Sequence, residues 1–172
     1  MRRIPIGLCA AIAAYVVLRV LVLATNFESV ALPMFELYPM GTMAELRLRG
    51  LDFPLRYFYD NAAGQILMGF ATIPVFAVFG SSYLALKLLP ALLGLGVLVV
   101  VWKLLDAHVS RRAANLAALL IAVGPPTLTK YSLINSGNHF ENLFFTSVAI
   151  FLAYRWFASA WKTKRGLFAY AF

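Results

Sequence analysis

Six of the seven acids in this chain, Glu28, Glu36, Glu45, Asp52, Asp60 and Glu141, fall on the outer side of the topology expected below. Three of them stand where a helix should begin or end. Glu36 follows the first apolar stretch in LPMFELYPMGTMAELRLRG, Asp60 lies at the entrance of the next in LRYFYDNAAG, and Glu141 opens the last complete one in NSGNHFENLFF. Carboxylates so placed could converge over a common cavity, one as general base and others holding a divalent metal ion. Each also has a quieter reading. Glu141 complements the positive end of a helix dipole, Glu36 is a solvated acid at headgroup level, and Asp60 caps a turn. His139, beside the loop Asn135-Ser136-Gly137-Asn138, could add an imidazole to a metal or phosphate site or remain a polar loop residue. Arg19 and Lys87 sit inside apolar stretches. They either snorkel to the surface or meet a phosphate-bearing lipid, since charge inside a membrane is a default pointer to function.

The elements that must carry these residues follow from composition. The chain is 62% apolar and 13% charged over 172 residues, against about 45–50% and roughly 25% in soluble domains. A globule so built could not cover itself with polar surface, so the chain reads as integral to a membrane. The formal charge of +8 would suggest nucleic acid in a soluble domain, but a basic face interleaved with aromatics is missing, which excludes that partner. Here the basic residues flank apolar runs, where they set topology. Cys9 is the single cysteine, which rules out an intramolecular disulfide and paired-cysteine metal sites. Arg2 and Arg3 precede an apolar run longer than the ~7–15 residues of a signal-peptide core, so the first helix reads as a retained signal anchor.

Five apolar stretches are visible, 4–25, 64–80, 83–105, 113–131 and 142–160, with a sixth cut off at Phe172. A span needs about 20 apolar residues, and 64–80 is short and carries Pro74. If it crosses, the basic residues Lys103, Arg111, Arg112, Arg155, Lys162, Lys164 and Arg165 flank outer loops. If it is re-entrant or interfacial, they join Arg2 and Arg3 in the cytoplasm, as the positive-inside rule favours. The expected fold class is therefore all-α: a polytopic transmembrane helix bundle with about four complete spans, a truncated fifth and a cytoplasmic N-terminus. Residues 1–172 form a single transmembrane domain, and 26–82 are a large outer loop with interfacial or re-entrant helices. Within it, 39–49 predicts a short interfacial helix stopped by Gly50, with Met40, Met43, Leu46 and Leu48 available to lipid. Tyr57, Phe58 and Tyr59 suit a headgroup-level belt, and Trp102, Trp156 and Trp161 fall near the cytoplasmic interface. Pro125-Pro126 must kink or break the span 113–131.

This order of parts resembles the N-terminal third of the GT-C class of polytopic glycosyltransferases, which includes protein O-mannosyltransferases, aminoarabinose transferases and Rgt-like bacterial transferases. The resemblance rests on FELYPMGTMAELRLRG, LRYFYDNAAGQILMGFATIPVFAVFG, ALKLLPALLGLGVL, DAHVSRRAANLAALLIAVGPP and NHFENLFF, and covers most of residues 4–166. It implies a membrane glycosyltransferase, here an N-terminal fragment, that moves a sugar from a polyprenyl-phosphate donor to a lipid, glycan or protein acceptor. The work would take place on the outer face of a bacterial-type inner membrane, in lipopolysaccharide or cell-wall glycan synthesis. By similarity Glu36 takes the place of the catalytic base, Asp60 that of a metal-proximal acid and Glu141 that of the second-loop acid. Asp60, Glu141, His139, Arg19 and Lys87 are then candidates for substrate or phosphate, and Asp60 with Glu141 for a divalent metal ion. Two departures stand out. The first acid of the class is usually Asp, and the class runs to many more helices. A non-enzymatic integral membrane protein, such as an assembly subunit or inactive remnant, is the alternative.

Overall fold

The computed structural model describes residues 5–34, 36–52, 63–137 and 139–160. Asp60, the aromatic run 57–59, Trp161 and the apolar stretch after it lie outside the described residues. Among those described, every regular element is helical and no strand occurs. Two helices, α1 (Ile6–Thr25) and α5 (Tyr83–His108), are long and apolar enough to cross a membrane, each with a mean hydropathy of 2.5. At 1.5 Å per residue, α1 reaches about 30 Å.

The molecule is arranged around α5, which packs against α1, α4 (Ala63–Phe79), α6 (Arg111–Ala122) and α8 (Phe140–Ala160). The Ser82 hydroxyl caps its start by accepting from Ala85 N at 3.1 Å. The turn after α5 is closed in the same way by Ser110, whose hydroxyl accepts from Ala113 N at 3.1 Å. Two further links stitch this turn. Arg111 pairs with Asp106, and Trp102 Nε1 donates to Asn115 Oδ1 at 2.9 Å. Trp102 is buried between α5 and α6. Beside it lies a core of Leu8, Ala11 and Tyr15 from α1, Leu98 from α5, and Ala114, Ala118 and Ala122 from α6. The three alanines recur every fourth residue and so share one face. Their small side chains let α6 approach closely.

The segment between α1 and Gly50 is built from short helices. It runs through α2 (Phe27–Val30), a wide π-type turn Leu37–Gly41 and α3 (Thr42–Leu48). Gly50 ends this run at φ +73°, the left-handed conformation that favours glycine. The helix expected over 39–49 is present, but its methionines turn inward. Met40 and Met43 are fully buried, while Leu46 is half-buried and Leu48 exposed. The cause is α4, which packs on α3 and presents Gly69. A Cβ built there would come within 2.5 Å of Met43 Sδ, so the flexible thioether fills the notch. The expected span 113–131 is divided into α6 and a short α7 (Pro126–Tyr131). The break at 123–125 falls where the proline pair denies backbone donors and disfavours helical geometry for the preceding residue.

Candidate functional site

The loop after α7 is nearly inaccessible. Ser132, Leu133, Ile134 and Asn135 are fully buried and Ser136 almost so. A loop buried this deeply must find partners for its backbone groups within the protein. Charged side chains from three separate elements supply them.

The central one is Glu36, with 0% of its surface exposed. Its Oε1 accepts from Asn135 N at 2.7 Å. Its Oε2 accepts from Lys87 Nζ at 2.5 Å, Tyr83 Oη at 2.9 Å and Leu32 N at 3.0 Å. Lys87 is equally buried and also donates to Val30 O at 2.5 Å. Its ammonium lies 4.8 Å from the centre of the Tyr83 ring. Tyr83 and Lys87 are four residues apart at the head of α5 and therefore share a face. Four parts of the chain, α2, the turn carrying Leu32 and Glu36, the head of α5 and the loop after α7, thus meet on one ion pair. Glu36 is not the solvated acid of the quieter reading, and Lys87 does not snorkel. Each has exchanged water for fixed partners, which offsets the desolvation of a buried pair.

Arg19 is also buried and does not snorkel. Its Nε donates to Ser132 Oγ at 3.0 Å, one terminal nitrogen bonds Ala122 O, and the other reaches Ile121 O at 3.4 Å. Those carbonyls close α6, where the break leaves them without helical donors. The guanidinium stacks 3.7 Å from the centre of the Tyr15 ring. Arg19 therefore caps one helix and holds the first residue of the buried loop.

Glu141 closes the other end of that loop. It is 2% exposed, with Oε1 accepting from Gly137 N at 3.3 Å and Oε2 from His139 N at 3.1 Å. It sits in the first turn of α8, so its charge also complements the helix dipole. The His139 ring stands against Tyr131, with centroids 4.3 Å apart. The structure therefore brings Glu36 and Glu141 onto one loop, bonding amides two residues apart. Both carboxylates are buried. Both turn onto backbone N–H groups.

The expected metal pair fares differently in its two halves. Each oxygen of Glu141 accepts one amide bond, and Asp60 lies outside the described residues. Among the described residues, no three His, Cys, Asp or Glu side chains gather as a metal-ligand group.

Sequence reasoning missed Tyr83, Ser132, Asn135 and Thr72. Tyr83 was legible as the i−4 neighbour of Lys87. The others carry no local signal, since their roles arise from distant contacts. Asn135 Nδ2 donates to Thr72 Oγ1 at 3.3 Å, and its Oδ1 is buried without a partner. A cleft of about 590 Å³ lies between α3 and the α4–α5 turn, where Ser81 donates to Glu45 and Arg49 pairs with it. Compared with known proteins, the chain matches no protein family, no curated protein and no solved structure.

Proposed function

We propose that the chain belongs to an integral membrane glycosyltransferase. It moves a sugar from a polyprenyl-phosphate donor to a glycan, lipid or protein acceptor on the outer face of a bacterial-type plasma membrane. In this reading α1, α5, the α6–α7 unit and α8 cross the bilayer, the N-terminus is cytoplasmic, and 26–82 lies outside with α4 re-entrant. The observation that carries it is the Glu36–Lys87 pair, 2.5 Å apart and fully buried at the head of α5. One partner suits taking a proton and the other suits holding a phosphate.

The resting pair is a closed form. A donor phosphate arriving at the head of α5 competes with the carboxylate for the Lys87 ammonium. Oε2 then loses its strongest donor, while Oε1 stays anchored to Asn135 N. The released carboxylate takes the proton of the acceptor hydroxyl as its oxygen attacks the anomeric carbon. The bond from that carbon to the phosphate oxygen breaks, and the polyprenyl phosphate departs with the electron pair, its charge balanced by Lys87. Arg19 and Glu141 act as positioning residues, because they hold the loop that holds Glu36. His139 and Asp60 are the further candidates for phosphate, and no step is routed through a metal ion.

A second reading has its own support. The four donors on Glu36 and its complete burial suit a staple in a non-enzymatic membrane protein. Transfer of labelled sugar by the chain in vesicles separates the two. Glu36→Gln keeps shape but removes the basic carboxylate, so transfer should fall by about 10²–10⁴-fold, while Glu45→Gln on α3 changes it only a few-fold. Wild-type transfer rates in Glu36→Gln would leave the staple reading standing.

A further inference from the structure

A second cleft, of about 720 Å³, lies between the outer end of α1 with α2 and the α6–α7 break. Its size is that of a small-molecule site, and its lining changes along its depth. Leu18 and Val22 of α1 and Val123 beside the break form an apolar half. Asn26, Ser29, Thr127 and Lys130 form a polar half. Below Val123 the apolar surface continues along α6 through Leu119, Leu120 and Leu116, all exposed. Their spacing of three and four residues puts them on one helix face. The cleft thus opens into an apolar seam at one end and a polar mouth at the other.

Charge selects the occupant. At this end of the bundle, Arg47, Arg49 and Lys87 each have an acid within salt-bridge distance, and Arg19 is spent on carbonyls and Ser132. Lys130 is exposed and, among the described residues, has no acidic partner. An ammonium at the mouth of a cleft that grades into an apolar seam complements an anionic amphiphile. The geometry points to a binding site for an anionic glycerophospholipid of the surrounding bilayer, its phosphate on Lys130 and its acyl chains along Leu116, Leu119, Leu120 and Val123. The lipid is a structural ligand of the α1–α6–α7 junction, separate from the Glu36–Lys87 pair. It rests on the cleft and its charge, so transfer assays do not bear on it.

Native mass spectrometry of the intact chain in non-ionic detergent tests the site, with phosphatidylglycerol, phosphatidylcholine and inorganic phosphate as separate probes. Phosphatidylglycerol should be retained roughly tenfold better than phosphatidylcholine, the scale of one charge-assisted bond. Lys130→Gln should remove that preference and Lys130→Arg should keep it, which separates loss of charge from loss of fold. Lys103→Gln, an exposed cation on α5 away from this cleft, should leave the preference intact. Equal retention of the two lipids by the wild type, or a preference that survives Lys130→Gln, overturns the assignment. Inorganic phosphate binding through Lys130 without lipid preference would identify a soluble-anion site and overturn it equally.

Discussion

Arg19 and Glu45 show how far a single side chain can be read before its partners are known. The position of Arg19 in an apolar stretch announced a special residue, but not that its partners would be the carbonyls of Ile121 and Ala122 and the Ser132 hydroxyl. Those groups become available only because α6 breaks a hundred residues later in the chain. Arg19→Gln leaves at least one buried carbonyl unpaired, so unfolding should cost about 2–3 kcal/mol less than in the wild type, measured by denaturant in micelles. Glu45 behaves differently because it lies at the surface of α3. The Ser81 hydroxyl, then Arg49 beside it, hold its carboxyl below the usual carboxylate range. A carboxyl whose folded value is depressed contributes stability above its unfolded value and loses it as pH falls through the lowered folded one. The tie between α3 and the α4–α5 turn should therefore persist through the usual carboxylate range and weaken only below it. Carbon-13 titration of the Glu45 carboxyl checks this. Ser81→Ala should move its midpoint upward, and an unmoved midpoint would assign the effect elsewhere.

At the level of elements, the strongly periodic or punctuated parts were legible. Gly50 marks the end of the helix over 39–49, and Pro125-Pro126 marks the division of 113–131, because each acts through its own backbone. The inward turn of Met40 and Met43 was not legible, because it depends on Gly69 of another helix. The junction of α5 with α8 is of the same kind. A Cβ at Gly96 would come within 2.5 Å of Phe144 Cε2, so the ring sits in a notch that only glycine leaves open. Gly96→Ala should push α8 from α5 and destabilise by about 1–3 kcal/mol. Pairing it with Phe144→Leu should recover part of the loss. If Gly96→Ala is neutral, α8 is not seated there as described.

For the whole molecule, composition alone indicated helices built for a membrane, and α1 and α5 have the length and hydropathy for it. The convergence of Arg19, Glu36 and Glu141 on one buried loop was only half visible. Sequence placed the acids at helix borders, but their contacts with residues 132–139 are products of the fold. The proposed topology is open to a direct check in a Cys9→Ser background, because Cys9 is itself exposed. Ser110→Cys should be labelled only from the cytoplasmic side and Thr127→Cys only from outside; both sites are exposed. Ser110→Cys labelled from outside and Thr127→Cys from the cytoplasmic side would overturn the assignment of α4 as re-entrant. The Glu36–Lys87 pair is asked to be both staple and reaction centre, and one comparison separates these roles. Removing either partner alone strands a buried charge, at about 3–5 kcal/mol, and should lower the melting temperature by roughly 10 °C. Glu36→Gln with Lys87→Met removes both charges at similar volume. The decisive measurement is sugar transfer by this double variant alongside its melting temperature. The account predicts a melting point well above those of the single variants, with transfer still down by about 10²-fold or more. Recovery of transfer together with stability would contradict it and leave the pair a staple alone.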